Sequence, residues 1–182
     1  MTTIEIPEIN LRLDIPNFEK YLKDHCITNK PHLPTITDIY KLRKIFNVPF
    51  IFEPVLKGEV GWDGVLLRVG NLYIDDVIHE ICHYIIAPPS RRKHKDFGLG
   101  GGFNSKGWVK RIVSEHFALE EEELVCVLQW ILMYNLGYAK YITYTMYDQN
   151  WNNSKEDKLQ IKKHLKTLIK KYEINNSRNQ IV

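Results

Sequence analysis

The amino-acid sequence predicts a single α+β domain in which a small antiparallel sheet packs against two helices. The chain has 182 residues, of which 44% are hydrophobic and 26% are charged, as expected for one folded domain. One apolar helix near the middle carries two histidines one turn apart, and a second, longer apolar helix opens with four glutamates. A short aliphatic strand precedes the first of these helices. These observations place residues 1–182 in one domain.

The N-terminal third, residues 1–60, is the least regular part of the predicted domain. It holds six of the eight prolines, so we expect it to consist of short elements. Residues 37–46 predict a helix that Thr37 or Asp38 would cap. Residues 48–56 are apolar and extended, and the two prolines within them favour an edge strand.

The middle of the chain predicts a strand, a helix and a loop. Residues 65–69 have the composition of a strand, which we expect in the antiparallel sheet. Residues 77–87 predict a helix, because two aspartates before it offer an N-cap and two prolines after it stop it. Residues 90–107 are basic and rich in glycine, which predicts a loop.

Two further helices are predicted in the C-terminal half. Residues 118–135 predict a long helix whose opening glutamates, residues 120–123, lie where the helix dipole favours negative charge. Lys155–Tyr172 is a basic segment, and residues 158–172 within it predict an amphipathic helix. Its apolar stripe consists of Ile161, Leu165, Leu168 and Tyr172.

The net charge of +3 comes from this last segment rather than from the whole chain. Lys155–Tyr172 holds seven lysines against Glu156 and Asp157, a local charge of +5, so the other residues sum to −2. The apolar stripe would dock the helix on its own domain and leave the lysines in water. We therefore expect no nucleic-acid partner.

The sequence also bounds the compartment. No apolar run reaches the roughly 18 residues of a membrane-spanning helix, and the N-terminus lacks the basic and apolar regions of a signal peptide. The cysteines Cys26, Cys82 and Cys126 are too few and too scattered for a disulfide framework. We therefore expect a cytoplasmic protein with no membrane partner.

Residues 79–83 read His-Glu-Ile-Cys-His, an H-E-x-x-H motif on the predicted apolar helix. Histidines four residues apart lie on one helical face, so His79 and His83 can bind the same metal ion. Glu80 can then take a proton from a water bound to that metal, as a catalytic base. A chain of this composition matches the motif by chance only about 0.02 times. The structural alternative is a pair of core histidines bonded to backbone carbonyls.

Two histidines need at least one further protein ligand. The glutamates at 120–123 precede an otherwise apolar helix, so we expect at least one of them to point inward, and the pattern leaves open which one. His94 and His116 are weaker candidates, because both lie in hydrophilic stretches. Asp96 is a candidate for orienting a ligating imidazole.

Three other signals are interpreted structurally. The glycine-rich residues 98–102 follow no strand and precede no G-K-[ST], so they predict a mobile loop rather than a nucleotide cradle. Cys82 is interpreted as a small buried thiol rather than as half of a Cys-His dyad. The basic clusters at 91–93 and 106–111 flank the predicted cleft and could bind an acidic substrate, but solvated loop charge is the commoner outcome.

The motif continues into a longer pattern. The matching residues are His79-Glu80-Ile81-Cys82-His83-Tyr84, Ile86-Ala87, Arg91-Arg92, Asp96-Phe97-Gly98, Glu122, Leu128-Gln129-Trp130 and Gly137-Tyr138. In this the chain resembles the elongation factor P hydroxylase family, within the gluzincin-like group of H-E-x-x-H metalloproteins. That family has H-E-I-x-H-aromatic, I-A, R-R, D-F-G, and later a glutamate, L-x-W and G-Y at similar intervals. The resemblance covers roughly residues 62–138.

The resemblance implies a non-haem metal protein that hydroxylates a modified lysine on a translation factor. It also implies a zincin-like domain, in which a strand such as residues 65–69 runs beside the active site and can pair with an extended substrate. Its register favours Glu122 as the third metal ligand, with Glu121 as the nearest alternative. His79, His83 and Glu122 would then form the 2-His-1-carboxylate set that is usual for non-haem iron oxygenases. The expected cofactor is one divalent metal ion, iron or zinc.

Three functions are compatible with these residues. The first is a metal-dependent hydroxylase of a protein side chain, as the resemblance implies. The second is a zinc metallopeptidase or related hydrolase, in which Glu80 acts as general base. The third is a non-catalytic binding protein that keeps the metal-site scaffold and engages an acidic partner through its basic helix. The first two take a protein or peptide as substrate.

Overall fold

The structure, a computed structural model, describes residues 32–56, 61–100, 109–141 and 155–172. Predicted features elsewhere, among them most of residues 1–60, Cys26, the glycines at 101 and 102 and the start of the 106–111 cluster, lie outside the described residues. The helices are α1 (Ile36–Phe46), α2 (Ile74–Ile86), α3 (Pro89–Arg92), α4 (Glu115–Asn135) and α5 (Lys155–Tyr172). The strands are β1 (Phe50–Ile51) and β2 (Leu67–Arg68), and two 3-10 turns span Lys95–Gly98 and Ala139–Tyr141.

The described residues form a helix-rich fold with a small sheet, so the α+β class is confirmed at that level. The predicted antiparallel arrangement of the sheet is wrong, because β1 and β2 run parallel, with Phe50 opposite Leu67. The chain between β1 and β2 is longer than the dozen or so residues that a connection between parallel strands needs. It is therefore long enough to allow the parallel pairing. The strands are also shorter than the predicted 48–56 and 65–69.

Both edges of β2 are occupied. On one side the Leu67 N–H donates to the Pro49 carbonyl at 2.8 Å. On the other side Trp62 forms an antiparallel bridge with Leu67, and the Arg68 N–H donates to the Gly61 carbonyl at 2.9 Å. The backbone of β2 is therefore already paired where we expected an extended substrate to bind.

Helix α1 begins one residue before its predicted start, and its N-cap is Thr35, so the predicted caps Thr37 and Asp38 are wrong. The Thr35 hydroxyl accepts from the Asp38 N–H, and the Asp38 carboxylate accepts from the Thr35 N–H, which forms a capping box. The apolar face of α1 is buried at Ile39, Leu42 and Phe46. A further contact joins α1 to the segment that follows α4, since the Tyr138 hydroxyl donates to Asp38 at 2.7 Å.

The core lies between α2 and α4, which make the most extensive contact of any two described elements. Nine of the thirteen residues of α2 are buried, as its apolar composition predicts. On α4, the buried residues include every position from Val125 to Met133. Because both helices are apolar around most of their circumference, any polar side chain between them needs a partner within the core.

Helix α4 begins at Glu115, three residues before the predicted start, and Ser114 caps it. The glutamates at 120–123 therefore lie in the second and third turns, and only Glu115 is an acid of the first turn. The dipole interpretation of this acidic run is wrong, because the dipole acts mainly on the first turn. The role of each of these four glutamates therefore follows from the residues that its side chain contacts.

Helix α5 packs against α4, and it begins at Lys155 rather than at residue 158. Leu165 and Leu168 of the predicted stripe are buried, whereas the side chains of Ile161 and Tyr172 lie outside the described part of the structure. His164 is buried beside them and is hydrogen-bonded to Glu123 of α4 at 2.8 Å. Among the described residues, no helix combines the length and hydropathy needed to cross a membrane.

Candidate metal centre

His79, His83 and Glu122 meet between α2 and α4. The Nε2 atoms of the two histidines lie 3.0 Å apart. Glu122 places one carboxylate oxygen 3.4 Å from His79 Nε2 and the other 3.4 Å from His83 Nε2. One ligand atom from each of the three residues falls within 4.8 Å of the others. This group could hold a metal ion.

The cluster is closed on one side and open on the other. The His83 side chain is 3% exposed, whereas those of His79 and Glu122 are 23% and 26% exposed. A metal ion bound here would have three protein ligands and an approach from outside. Three protein ligands with a free position are typical of catalytic metal sites, whereas structural zinc sites are filled by four.

The donor set fits a divalent cation. Imidazole nitrogen and carboxylate oxygen are ligands that both zinc and non-haem iron accept. Burial alone would lower the pKa of His83, but the Glu122 and Glu121 carboxylates together outweigh it and raise that pKa to about 9. Burial would raise the pKa of Glu122, but His83 and His79 hold it far below its ordinary value. The Glu122 carboxylate therefore favours positive charge beside the imidazoles, which protons supply here and a bound metal ion would replace.

The two imidazoles are supported from α4 in different ways. His79 Nδ1 is hydrogen-bonded to the Gln129 side-chain oxygen at 3.1 Å, and the Gln129 amide donates to the backbone carbonyl of Asp75 at 2.9 Å. His83 Nδ1 faces a carboxylate oxygen of Glu121 at 3.9 Å. The other oxygen of Glu121 accepts a hydrogen bond from Arg91. Metal-ligating histidines are commonly held by such groups on their second ring nitrogen.

The four successive glutamates of α4 therefore face four different environments. Each helical residue is rotated by about 100° from the last, so neighbours point in different directions. Glu120 is exposed and lies 3.7 Å from His116, Glu121 pairs with Arg91, and Glu122 faces the two histidines of the motif. Glu123 accepts hydrogen bonds from Gln160 and His164 of α5. Glu121, the alternative third ligand, thus lies outside the cluster.

A Glu121→Gln variant is expected to lower the free energy of unfolding of the metal-free protein by about 3–5 kcal/mol, because it leaves a buried guanidinium without its counter-charge. Glu120→Gln makes the same chemical change one residue earlier, on a side chain that is 51% exposed. It should change stability by no more than about 0.5 kcal/mol. Urea unfolding of both variants checks this, and equal effects would contradict the assigned directions of the two side chains.

Aromatic side chains close the buried side of the cluster. The Phe97 ring stacks on His83 with centroids 5.5 Å apart, and Trp62 stacks on Phe97 at 5.3 Å. Phe97 reaches this position from a turn in which Asp96, Phe97 and Gly98 all have left-handed φ values of 49°, 51° and 78°. A left-handed phenylalanine is costly, and such strain is concentrated at functional sites. The turn therefore holds the ring that fixes the plane of His83.

Glu80 lies beside the cluster on α2, with its carboxyl group packed against the backbone of Gly61. A Cβ atom at Gly61 would lie 3.2 Å from the Glu80 Cδ, so the glycine leaves room for the carboxyl group. One carboxyl oxygen is buried without a hydrogen-bond partner among the described residues. Burial, opposed by the two motif histidines and assisted by Asp96, raises the pKa of Glu80 to about 7. A carboxyl group of this kind can both accept and release a proton near neutral pH.

The weaker candidates fall outside the cluster. The side chain of His116 is 83% exposed and faces Glu120. His94 is half-buried and precedes the Lys95–Gly98 turn, and Asp96 lies close enough for its charge to act on Glu80. Cys82 is buried, and burial raises the pKa of its thiol well above the usual value, which agrees with its interpretation as a core thiol.

Two supporting residues were missed by sequence reasoning. Arg91 was assigned to solvated loop charge, but it is 8% exposed and paired with Glu121, so that interpretation is wrong for this residue. Gln129 was treated as part of an apolar helix. A signal for Gln129 was available, because it is the one polar residue between Leu124 and Met133 and lies seven residues, about two turns, after Glu122. No comparable signal in the sequence indicates that Arg91 pairs with Glu121.

Comparisons of the chain with models of protein families, with curated proteins and with solved structures each give no match. The interpretation of the site therefore depends on its geometry and on the residue pattern.

Proposed function

We propose that this protein is a metal-dependent enzyme that holds one iron or zinc ion through His79, His83 and Glu122 and hydroxylates a protein side chain. The observation that carries the proposal is the convergence of two imidazole nitrogens and one carboxylate from two packed helices. The elongation factor P hydroxylase-like pattern of residues favours hydroxylation. We also propose that the domain is zincin-like. The support is that α2, which carries the motif, packs on α4, which carries Glu122.

Each residue has a distinct part in this proposal. His79, His83 and Glu122 bind the metal, while Gln129 and Glu121 hold the imidazole rings. Phe97 and Trp62 exclude water from the His83 side. A bound iron ion would supply oxygen chemistry, and a bound zinc ion would polarise a carbonyl group and lower the pKa of a water molecule. Glu80 holds or moves a proton beside the reacting group.

Hydrolysis of a peptide bond is the second candidate, and the state of Glu80 favours it. A general base works best when its pKa lies near the operating pH, and the pKa of Glu80 is raised to about 7. In this reading Glu80 accepts the proton of the attacking water and later donates it to the leaving amine. The ligands would be the same three residues, with zinc as the metal.

In both readings the substrate is a protein or peptide that approaches from the side where His79 and Glu122 are exposed. We propose a cytoplasmic location, because Cys82 and Cys126 are free thiols within the core. We propose neither a nucleic-acid partner nor a membrane partner.

The deciding experiment is a measurement of metal content after purification without chelators. About one equivalent of iron, with oxygen uptake and addition of one oxygen atom to elongation factor P carrying its modified lysine, supports hydroxylation. About one equivalent of zinc, with cleavage of a peptide library and no oxygen uptake, supports hydrolysis. If the purified protein contains no metal and binds neither added iron nor added zinc, both proposed functions are wrong.

A further inference from the structure

Gln129 lies at the centre of the α2–α4 contact, and its two ends have fixed chemical partners. It is 1% exposed and lies within the apolar part of α4. A buried amide must satisfy both its donor and its acceptor groups. One end lies 2.9 Å from the backbone carbonyl of Asp75, and the other lies 3.1 Å from His79 Nδ1.

The direction of these hydrogen bonds follows from the backbone. The Asp75 carbonyl can only accept, so the amide NH2 group of Gln129 must face it. The Gln129 oxygen therefore faces His79, and since this oxygen can also only accept, His79 Nδ1 must carry a proton. In a neutral imidazole the other nitrogen, Nε2, is then bare. That atom is the one that lies 3.0 Å from His83 Nε2 and 3.4 Å from Glu122.

We propose that Gln129 is a positioning residue that selects the tautomer of His79 and thereby makes Nε2 its metal-binding atom. This inference deepens the proposed function and depends on metal binding at the same three residues. An amide suits the position because it orients the ring without adding charge. The carboxylates of Glu121 and Glu122 already act on the motif histidines. A carboxylate at position 129 would add another negative charge and would place an acceptor against the Asp75 carbonyl.

The second histidine is held differently, which gives Gln129 a specific role. His83 faces Glu121, a carboxylate whose charge is balanced by Arg91. His79 is only partly buried, and its Nδ1 is hydrogen-bonded to the neutral Gln129 oxygen rather than facing an ion-paired carboxylate. The Cys126 thiol is a further hydrogen-bond partner of the His79 ring. Loss of Gln129 therefore affects one ligand and leaves the support of the other intact.

The test compares zinc binding by the full chain and by a Gln129→Met variant, which keeps the length of the side chain but cannot hydrogen-bond. We expect zinc affinity, measured by competition with a chromophoric chelator, to fall about 10- to 100-fold. Long-range 15N–1H spectra of the zinc-loaded protein should show His79 bound through Nε2 with a protected Nδ1–H. In Gln129→Met that Nδ1 proton should exchange rapidly with water.

Two further variants separate positioning from packing. Leu128→Met changes an adjacent, fully buried side chain of α4 and should leave zinc affinity and the His79 signal unchanged. Gln129→Glu keeps an acceptor facing Nδ1, so its affinity should lie between those of wild type and Gln129→Met, and it serves also where Gln129→Met fails to fold. Wild-type zinc affinity with a protected Nδ1–H in Gln129→Met overturns the inference. Where Gln129→Met fails to fold, wild-type zinc affinity in Gln129→Glu overturns it. A wild-type chain that binds no metal overturns the proposed function instead.

Discussion

A His83→Ala variant is expected to lose metal binding, with affinity for zinc or iron falling by more than the roughly 100-fold that loss of a supporting hydrogen bond costs. His83 offers one of the three candidate ligand atoms and lies on the buried side of the cluster, where its side chain is 3% exposed. No other donor side chain of the described residues joins the group. Competition with a chromophoric chelator measures the change directly.

His116→Ala is the matched control, because it removes an exposed histidine from α4 without approaching the cluster. It should bind metal like the wild type. Since alanine at 83 also leaves a space beside Phe97, a His83→Gln variant that fills more of the space should be measured in parallel. Metal affinity that is unchanged in both His83 variants would show that the ion, if any, binds elsewhere.

A Glu80→Gln variant is expected to keep its metal and to lose turnover by about 10²–10⁴-fold, the range for removal of a general acid or base. Glu80 is not one of the three clustered ligands, so metal content should stay near that of the wild type. Turnover is measured with whichever substrate the metal analysis identifies. If metal binding and the biological effect of the protein both persist in the variant, catalysis through Glu80 is excluded and the non-catalytic binding function gains support.

The same variant gives a second result that needs no substrate. Burial raises the pKa of Glu80 from its ordinary value of 4.5 to about 7, so between these pH values the folded protein holds a proton that the unfolded chain has released. This contribution to stability is complete below pH 4.5 and is lost as the pH rises to about 7. Relative to Glu80→Gln, the metal-free wild type should therefore lose about 3 kcal/mol over this range. Parallel stability curves for the two proteins would contradict the assigned burial of the carboxyl group.

Much of the site could be predicted because its information is local. The spacing of His79 and His83 sets both on one face of a helix whatever surrounds it. The apolar composition of α2 and α4 indicates that both are inner helices, which is how the structure places them. Glu122 was favoured by a resemblance in register, and it is the glutamate that the structure brings to the two histidines.

The remainder depends on contacts between distant parts of the chain. The partnership of Arg91 with Glu121 spans 30 residues, and nothing in the composition around Arg91 distinguishes it from its solvated neighbour Lys93. The parallel pairing of β1 and β2 follows from how the connecting stretch folds, which short strands cannot specify by composition. The start of α4 was misplaced by one turn, and this changed the interpretation of the whole acidic run.

The different partners of Glu121, Glu122 and Glu123 fix the rotation of α4 about its own axis. A run of identical acids is chemically degenerate, so rotation by about one residue would present a carboxylate to the histidines just as well. Arg91 on one flank and His164 on the other remove this degeneracy, because each requires an acid at its own angle. Two side chains outside the cluster thus select one rotational setting of the helix, and with it which glutamate faces the two histidines.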